Sequence, residues 1–230
     1  MRKKIAVLTG AGISAESGIK TFRDSNGLWE EHRIEDVASP EGWYRNKELV
    51  LDFYDQRRRQ LLQCAPNRAH FALAELEAKY DVTIITQNVD DLHERGGSTN
   101  IIHLHGELLK ARSTFDESLV YEWKEDIKIG DKCARGAQLR PHIVWFGEAV
   151  PEIERAVPIV AKADIFIVIG TSMVVYPAAG LINYTGYDTP KYLIDPNEVA
   201  VPRIPSLTVI QQAASIGVDL LVKELLSKAE

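Results

Sequence analysis

The chain has 230 residues, enough to bury a substantial core as one domain with an insertion or as two small domains. Its 45% hydrophobic and 26% charged residues are ordinary for a soluble globular protein, and a net charge of −6 with a pI near 5.6 argues against a dedicated nucleic-acid binder. Two cysteines give no disulfide framework and indicate a reducing compartment, and the N-terminal apolar run of four residues predicts neither a signal peptide nor a membrane span. We therefore expect a cytoplasmic protein that contacts no membrane.

The first predicted element is a buried strand that ends at Thr9 and leads into the glycine-rich turn GAGISA (residues 10–15). Gly10 permits the turn, and Gly12 lets a phosphate group approach the backbone. We expect a helix to begin at Ser14 or Ala15, where the small Ala15 allows helix and strand to pack closely and a pyrophosphate can bind at the helix N-terminus. The alternative is an ordinary strand-to-helix turn that binds no ligand.

Residues 21–43 form a polar, aromatic and irregular segment after this turn. Long loops are uncommon in compact domains and are usually functional. Glu35 and Asp36 lie at the distance at which dinucleotide-binding folds place a ribose-binding acid, but no apolar strand precedes them, so neither is assigned that role. Arg23 is a candidate for contact with a phosphate or a ribose, and the alternative is a surface ion pair with Asp24.

Short apolar strands follow along the chain, as is typical of a buried parallel sheet: Val82–Thr86, Ile101–His105, His142–Phe146, Asp164–Ile169, Lys191–Ile194 and Leu207–Ile210. Helical patterns lie between several of them, at His70–Lys79, Ile153–Ala161 and Ile216–Lys228. This alternation predicts an α/β fold with a Rossmann-like, doubly wound parallel sheet. Two stretches interrupt it, and we expect them to form a small second lobe. The lobe would be residues 27–66 and 108–139, inserted into a Rossmann-like domain of residues 1–26, 67–107 and 140–230.

Several predicted strands end in polar clusters, at the edge of the sheet where such folds bind ligands. The clusters are QNVD (residues 87–90), HGE (105–107) and GTS (170–172). Histidine accepts a proton near neutral pH, so His105 is the candidate general base. The alternative is a strand-end histidine that only satisfies backbone groups, and His103 on the same strand face favours the functional interpretation.

Six motifs occur along the chain: GAGIS with GI (10–14 and 18–19), TFR (21–23), TQNVD (86–90), HLHG (103–106), VWFGE (144–148) and GTS (170–172). In this order and spacing they resemble the motifs of sirtuins, which are NAD-dependent protein deacylases. The resemblance extends from Ile5 to the last predicted helix.

The resemblance implies that NAD is consumed as a co-substrate. The positions that match the family's NAD contacts are Gly10, Ala11, Gly12, Ile13, Ala15, Phe22, Arg23, Trp29, Gln87, Asn88, Asp90, Gly170, Thr171, Ser172, Asn197 and Ala214. Ile13, Asn88 and Asp90 resemble the nicotinamide pocket, and His105 resembles the base that removes a proton from a ribose hydroxyl. The expected products are free lysine, nicotinamide and O-acyl-ADP-ribose.

The resemblance also implies that an acyl-lysine peptide pairs as an extra strand beside Val144, Phe146 and Gly147. The alternative is that VWFGE is an ordinary core strand ending in a turn. We expect acyl-lysine proteins or peptides as substrates, no nucleic-acid partner and a monomeric chain.

A helix predicted over Asn46–Gln63 bears on the acyl group. On its apolar face Tyr54 and Arg57 are neighbours, whereas Arg58 and Arg59 point away. A guanidinium beside a phenol suits a carboxylate in a partly desolvated pocket, and the alternative is an arginine snorkelling from the edge of the apolar stripe.

Tyr-x-x-Arg at this place resembles the subclass of sirtuins that removes succinyl, malonyl or glutaryl groups, and Ala38 matches the small residue of its wider acyl pocket. We therefore expect negatively charged acyl-lysine to be the preferred substrate, with deacetylation as a second activity. Two rival functions are mono-ADP-ribosyl transfer to a protein side chain and a non-catalytic NAD-sensing module.

Two features depart from the family pattern. Most sirtuins hold a structural zinc on two CxxC pairs, but the matching segments ARSTFD (111–116) and KCARG (132–136) contain only Cys133, so no zinc or other metal is predicted. The lobe is expected to depend on a small core of its own, made of Phe115, Val120, Tyr121, Trp123 and Ile127. At the adenosine end Leu193 stands where the family usually has asparagine, and Asp195 or Asn197 is the alternative ribose contact.

Overall fold

The computed structural model describes residues 2–20, 28–29, 32–171, 173, 175–199 and 203–229. The strands are β1 Lys4–Thr9, β2 Leu28–Trp29, β3 His32–Arg33, β4 Asp81–Thr86, β5 Ile101–His103, β6 Gly106–Ser113, β7 Val120–Glu122, β8 Leu139–Ile143, β9 Ile165–Ile169, β10 Lys191–Ile194 and β11 Leu207–Ile210. The α-helices are α1 Ile34–Val37, α2 Pro40–Arg45, α3 Lys47–Leu61, α4 Arg68–Leu76, α5 Leu92–Arg95, α6 Ile153–Ala161 and α7 Ala214–Ser227. Across the described parts of the chain, no helix combines the length and apolar character that a membrane span requires.

Six strands form a parallel sheet in the order β11-β10-β9-β1-β4-β5. Every residue of β1 from Ile5 to Thr9 is buried, as expected for the central strand of a sheet covered on both faces. β4 and β9 flank β1 on opposite sides, so the winding direction of the chain reverses there. The carboxyl ends of these three strands are where such a sheet opens a crevice. The predicted doubly wound α/β fold is thus confirmed.

Helices cover both faces of the parallel sheet. On one face α4 and α7 bury apolar residues such as Leu73 and Leu221 in a shared core. On the other face α6 and a 3₁₀ segment, Ala178–Tyr184, bury residues such as Val160. The observed bounds of α6, β10 and β11 are the predicted ones.

The glycine turn is not followed directly by an α-helix, contrary to the prediction. Two 3₁₀ turns, Ala11–Ile13 and Ala15–Ser17, take its place. Gly18 has a φ of +93°, and this left-handed backbone ends the second turn. Ala15 is exposed, so the close helix–strand packing expected of it is also wrong.

Three strands form a separate antiparallel sheet in the order β7-β6-β8. The strand predicted at His142–Phe146 in the parallel sheet is wrong, because β8 ends at Ile143 and pairs with β6. Val144 and Phe146 lie in the following loop, and Trp145 is buried against an aromatic ring of α2. Of this apolar run, Trp145 therefore packs on a helix, whereas Val144 is half-buried and Phe146 is exposed.

The core beside the antiparallel sheet differs from the predicted one. Ile127 is buried, and Tyr121 and Trp123 are partly buried against the same cluster. Phe115, in the turn between β6 and β7, is 73% exposed, and Val120 on the edge strand is also exposed. Phe115 and Val120 were therefore wrongly assigned to this core.

Arg58 attaches α3 to the antiparallel sheet. Its guanidinium is fully buried, pairs with Asp55, and donates from Nε to the Leu108 carbonyl at 3.1 Å. Asp55 in turn accepts the Ile127 backbone N–H at 3.0 Å. Arg58 thus points into the protein, whereas Arg59 lies at the surface.

Candidate functional site

A cavity of about 830 Å³ lies at the carboxyl ends of β1, β4 and β9 and reaches α3 and the loop after β8. Most of the predicted site residues line it: Gly10, Ala11, Gly12, Ala15, Ala38, Tyr54, Arg57, Gln87, Asn88, Asp90, His105, Val144, Phe146, Gly147, Gly170, Thr171 and Asn197. Motifs that are far apart in the chain therefore meet in one space.

The glycine turn packs backbone to backbone against the end of β9. Gly10 N donates to the Ile169 carbonyl at 3.0 Å, and Gly12 N donates to the Gly170 carbonyl at 2.8 Å. A Cβ on Gly12 would lie 2.6 Å from Gly170 Cα, and Gly170 has a φ of +61°. Both positions require glycine, because a side chain at either would push the two segments apart. The result is a cradle lined by backbone at the edge of the cavity.

Asn88, Asp90 and Ser14 form a buried polar cluster beside this cradle. Asn88 Nδ2 donates to the Gly10 carbonyl and to Ser14 Oγ, both at 3.2 Å. Ser14 Oγ donates to Asp90 Oδ2 at 3.0 Å, and Asp90 Oδ1 accepts the Leu92 N–H at 3.1 Å. Burial raises the pKa of the Asp90 carboxyl to about 6, so its charge changes near neutral pH.

Nε2 is the ring nitrogen of His105 that can accept a proton. Its Nδ1 lies 3.0 Å from the Gln87 carbonyl oxygen, so in the neutral ring Nδ1 holds the hydrogen and Nε2 holds the lone pair. Burial lowers the pKa of the His105 imidazole, which favours this neutral form. The Gln87 side chain donates to Thr171 Oγ1 at 3.2 Å and so connects the ends of β4 and β9. His105 is therefore equipped to accept a proton.

His103 supports the site without lining the cavity. Its Nε2 lies 2.6 Å from Glu94 Oε1, and its Nδ1 lies 3.3 Å from the Asn88 carbonyl oxygen. Burial alone would lower the pKa of His103, but the hydrogen bond and charge of Glu94 outweigh burial and raise it. His103 is thus a contact of the Asn88 backbone.

Tyr54 and Arg57 line the part of the cavity formed by α3. Tyr54 is fully buried, its hydroxyl oxygen accepts a hydrogen bond from Trp145 Nε1 at 3.1 Å, and burial raises the pKa of the phenol far above its ordinary value. The half-buried Arg57 guanidinium lies 3.5 Å from the centroid of the Phe53 ring and donates from Nη1 to the Phe53 carbonyl at 2.7 Å. Tyr54 and Arg57 thus bring a neutral hydroxyl and a positive charge to one cavity lining, which also contains the small Ala38.

The half-buried carboxylate of Glu148 holds the loop after β8. Glu148 accepts the Trp145 backbone N–H at 2.8 Å and Arg140 Nη1 at 2.7 Å, and Arg112 Nη2 lies 3.2 Å from it. The Arg140 guanidinium stacks 3.3 Å from the centroid of the Trp145 ring. Burial alone would raise the pKa of Glu148, but the hydrogen bonds from Arg140 and Trp145 lower it.

The loop itself is not a strand. Val144 N donates to the His105 carbonyl at 2.9 Å, and Phe146 N donates to the Ala38 carbonyl at 3.0 Å. Gly147 has a φ of +91°, which interrupts an extended backbone. A peptide that pairs here would have to use backbone groups other than these two amides, and the added strand stays a prediction.

Some predicted contacts are not in the lining of the cavity. Ile13 and Ala214 are buried in the core on the α4–α7 face, and Leu193 is buried in the core on the other face. Asn197 lines the cavity, as does Asp195. Four further predictions fall outside the described residues: Phe22, Arg23, the Trp29 side chain and Ser172.

The cavity is also lined by residues for which no role was predicted. Gln60 follows Arg57 by three positions on α3, so helical spacing could have identified it. Glu148 belongs to the motif VWFGE but had no assigned contact. Lys20 and Tyr176 lie in irregular segments that carry no periodic signal.

The segments that match the zinc pairs of most sirtuins hold a hydrogen-bonded cluster. Ser113 Oγ accepts the N–H groups of Phe115 at 3.1 Å and Asp116 at 3.2 Å, and Asp116 pairs with Arg135 at 3.1 Å. One thiol, of the buried Cys133, does not fit a tetrahedral zinc site. Within the described ranges, no group of three or more His, Cys, Asp or Glu side chains is placed to hold a metal ion. A chain without zinc stays a prediction.

Comparison with known proteins identifies the family of this α/β chain. The family model described as Sir2 family matches residues 10–177, so the chain belongs to the Sir2 family. An "NAD-dependent protein deacylase" of Bacteroides thetaiotaomicron is 55% identical over 233 residues, with 99% of both chains covered. A protein of the same name from Helicobacter pylori is 54% identical over 227 residues, again with 99% of both covered.

Solved structures show the same relationship. A Sir2 homologue in complex with NAD superposes with a TM-score of 0.89 at 40% identity, covering 100% of this chain and 91% of the homologue. Sir2 bound to an acetylated peptide gives a TM-score of 0.79 at 29% identity, covering 99% of this chain and 93% of that protein.

Proposed function

We propose that the chain is an NAD-dependent deacylase of protein lysine side chains that prefers succinyl and malonyl groups and also removes acetyl groups. The observation that carries the proposal is a single cavity containing the glycine cradle, the His105 imidazole and the Tyr54–Arg57 pair. The names of the relatives support the deacylase activity. The homologues in complex with NAD and with an acetylated peptide support these two kinds of ligand.

The residues of the cavity fit NAD. Gly10, Ala11 and Gly12 line the cavity with backbone and a single methyl group, which suits the close approach of a pyrophosphate. Asn88 and Asp90 offer an amide and a carboxylate, which complement the carboxamide of nicotinamide. When bound, NAD supplies the ribose that receives the acyl group. His105 accepts a proton at Nε2, and free lysine, nicotinamide and O-acyl-ADP-ribose are the proposed products.

The acyl preference rests on Tyr54 and Arg57. A carboxylate at the end of an acyl chain can accept hydrogen bonds from both a phenol and a guanidinium, and such charge-assisted bonds are stronger in a partly desolvated pocket than in water. Arg57 is half-buried, so its charge is screened less than that of the exposed Arg59 on the same helix. An acetyl group has no charged end, so it gains nothing from the guanidinium. The alternative remains an arginine that only snorkels along Phe53.

The preference is tested by NAD-dependent nicotinamide release with succinyl-lysine, acetyl-lysine and unmodified forms of one peptide. The enzymes are wild type, Arg57→Met and the matched control Arg59→Met, whose side chain pairs with Asp126 at the surface. We expect succinyl-lysine to be the best wild-type substrate. Arg57→Met should lower kcat/KM for succinyl-lysine by about ten-fold or more and spare acetyl-lysine, because a charged hydrogen bond is lost. Arg59→Met should behave like wild type.

The other outcomes are equally informative. If acetyl-lysine is the better substrate and Arg57→Met changes nothing, the preference is wrong and the chain is an ordinary deacetylase. If no peptide stimulates nicotinamide release, the deacylase assignment is wrong. A gain of mass on a target protein would indicate mono-ADP-ribosyl transfer. An NAD-sensing module would release no nicotinamide, and its NAD binding would not respond to His105→Ala.

Further properties are part of the same proposal. We place the enzyme in the cytoplasm, where its two cysteines, which form no disulfide, stay reduced. It acts as a monomer, binds the acyl peptide as an added strand and needs no zinc. The small lobe comprises residues 27–66 and 108–139, and the NAD-binding domain comprises residues 1–26, 67–107 and 140–230.

A further inference from the structure

Two histidines that the proposed reaction does not use, His70 in α4 and His93 in α5, are fully buried. Burial lowers the pKa of His70 to about 4 and that of His93 well below its ordinary value, so both rings are neutral. The ring centroids lie 5.0 Å apart in an edge-to-face arrangement. Since buried polar atoms in proteins are nearly always hydrogen-bonded, the partners of these rings indicate what the pair does.

His93 connects to the cavity through two threonines. His93 Nε2 lies 3.0 Å from Thr9 Oγ1, and Thr9 Oγ1 donates to Thr86 Oγ1 at 2.8 Å. Thr86 Oγ1 also accepts the backbone N–H of Asn88 at 3.0 Å. Thr9 and Thr86 are the last residues of β1 and β4, directly before the residues that line the cavity.

The hydrogen positions on the two rings follow from these partners. Because Thr9 gives its hydrogen to Thr86, its oxygen accepts from His93 Nε2–H. His93 Nδ1 then holds a lone pair. His70 Nδ1 accepts the N–H of Asn67 at 3.3 Å, so the hydrogen of the neutral His70 ring is on Nε2. His70 Nε2 and His93 Nδ1 are both buried, and neither has a hydrogen-bond partner among the described residues, the other ring included.

The two remaining atoms are therefore complementary, since one is a donor and the other an acceptor on adjacent rings. We propose that one buried water bridges His70 Nε2–H and His93 Nδ1, and that the resulting relay positions Asn88 and the glycine turn for cofactor binding. The relay runs from the N-terminal cap of α4 to the end of β4. Both histidines are positioning residues, because neither lines the cavity.

The inference rests on the proposed use of NAD, and it predicts which of the two ligands binds more weakly when the relay is broken. The relay ends on the backbone of Asn88, whose side chain donates to the Gly10 carbonyl. These groups belong to the proposed NAD side of the cavity, whereas the acyl side is formed by α3 and the loop after β8. Breaking the relay should therefore weaken NAD binding and leave peptide binding nearly unchanged.

The variants Thr9→Val and Thr9→Ser distinguish the effect of losing the hydroxyl from the effect of changing the packing. Thr9→Val removes the link with little change in shape, and Thr9→Ser keeps the hydroxyl. Thr83→Val is the matched control, because this buried threonine of β4 accepts a hydrogen bond from Asn100 at 2.6 Å and does not line the cavity. NAD binding is measured by calorimetry, and the KM values for NAD and acyl peptide by nicotinamide release. We expect Thr9→Val to weaken NAD binding about five-fold with a peptide KM within about two-fold of wild type, and Thr9→Ser to restore binding.

His93→Leu and the double variant Thr9→Val/His93→Leu test whether the groups act as one unit. Because both substitutions break the same relay, the double variant should bind NAD about as well as the weaker single variant. The proposal is overturned if Thr9→Val binds NAD like wild type, if Thr83→Val weakens NAD binding equally, or if the two losses add. If His93→Leu does not fold, NAD binding by Thr9→Val and Thr9→Ser decides whether the relay exists. If wild type binds no NAD at all, the proposed function itself fails.

Discussion

Replacing Glu148 by glutamine is expected to destabilise the protein and to raise the KM for the acyl peptide. The carboxylate is bonded to Arg140 and to the Trp145 backbone and lies near Arg112, and glutamine would turn an N–H group toward a guanidinium. Breaking a buried ion pair costs about 3 to 5 kcal/mol, and because the Glu148 side chain is 19% exposed we expect the lower end, about 3 kcal/mol. For a chain of this length that loss corresponds to a fall in Tm of roughly 6 to 12 °C.

The free energy of unfolding is measured by urea denaturation at neutral pH, together with the KM values for peptide and NAD. Glu152→Gln is the matched control, because Glu152 pairs with Arg155 at the surface and its loss should cost less than about 0.5 kcal/mol. The peptide KM should rise in Glu148→Gln, since Trp145 and Phe146 lie in the loop that the carboxylate holds. Unchanged stability together with an unchanged peptide KM would refute the reasoning.

Burial raises the pKa of the Asp90 carboxyl to about 6, so the wild-type free energy of unfolding falls as the pH rises through that value. Asp90→Asn has no such carboxyl, so it should be more stable than wild type above pH 6 and equally stable below about pH 4. Urea denaturation between these limits should show a difference of about 2 kcal/mol, and a difference independent of pH would contradict the assignment. Ser113→Ala should cost about 1 to 2 kcal/mol because two backbone N–H groups lose their acceptor. A metal chelator should leave the wild-type Tm unchanged, and a fall in Tm would reveal a bound metal. Gly170→Ala should cost more than about 3 kcal/mol in denaturant unfolding, since its Cβ would lie 2.4 Å from Ile13 N at a φ of +61°, and near wild-type stability would rule out this packing.

Apolar periodicity was sufficient to predict the parallel sheet, because strands buried on both faces leave continuous apolar runs between helices. β10, whose residues are buried or half-buried, has its predicted bounds for this reason. The same signal failed for the run from Ile143 to Phe146, since a short apolar run has the same pattern whether it pairs in a parallel sheet or packs against helices. Only the pairing of β8 with β6 distinguishes the two, and that pairing is a long-range contact.

The site, like the fold, could be predicted from the sequence only in part. The glycine, amide and histidine motifs were predicted, and the cavity brings Gly10, Asn88 and His105 together. The contacts between distant residues could not be predicted, such as the hydrogen bond from Trp145 to Tyr54, because sequence spacing carries no information about them. The burial of Arg58 was also missed, since an arginine among polar neighbours on a helix has the pattern of a surface residue until its partner is known.

In helix α3 the residues that line the cavity are adjacent in sequence to the residues that attach the helix to the antiparallel sheet. Tyr54 and Arg57 face the cavity, while Asp55 and Arg58, each the next residue, fasten the helix to the antiparallel sheet. A substitution of the half-buried Arg57 can therefore change the cavity lining and leave the Asp55–Arg58 attachment intact, whereas Tyr54 is packed in the core and hydrogen-bonded to Trp145. Conversely, grafting Tyr54 and Arg57 onto an unrelated helix would carry over the cavity-lining side chains without the contacts that fix the helix, so all four residues would have to move together.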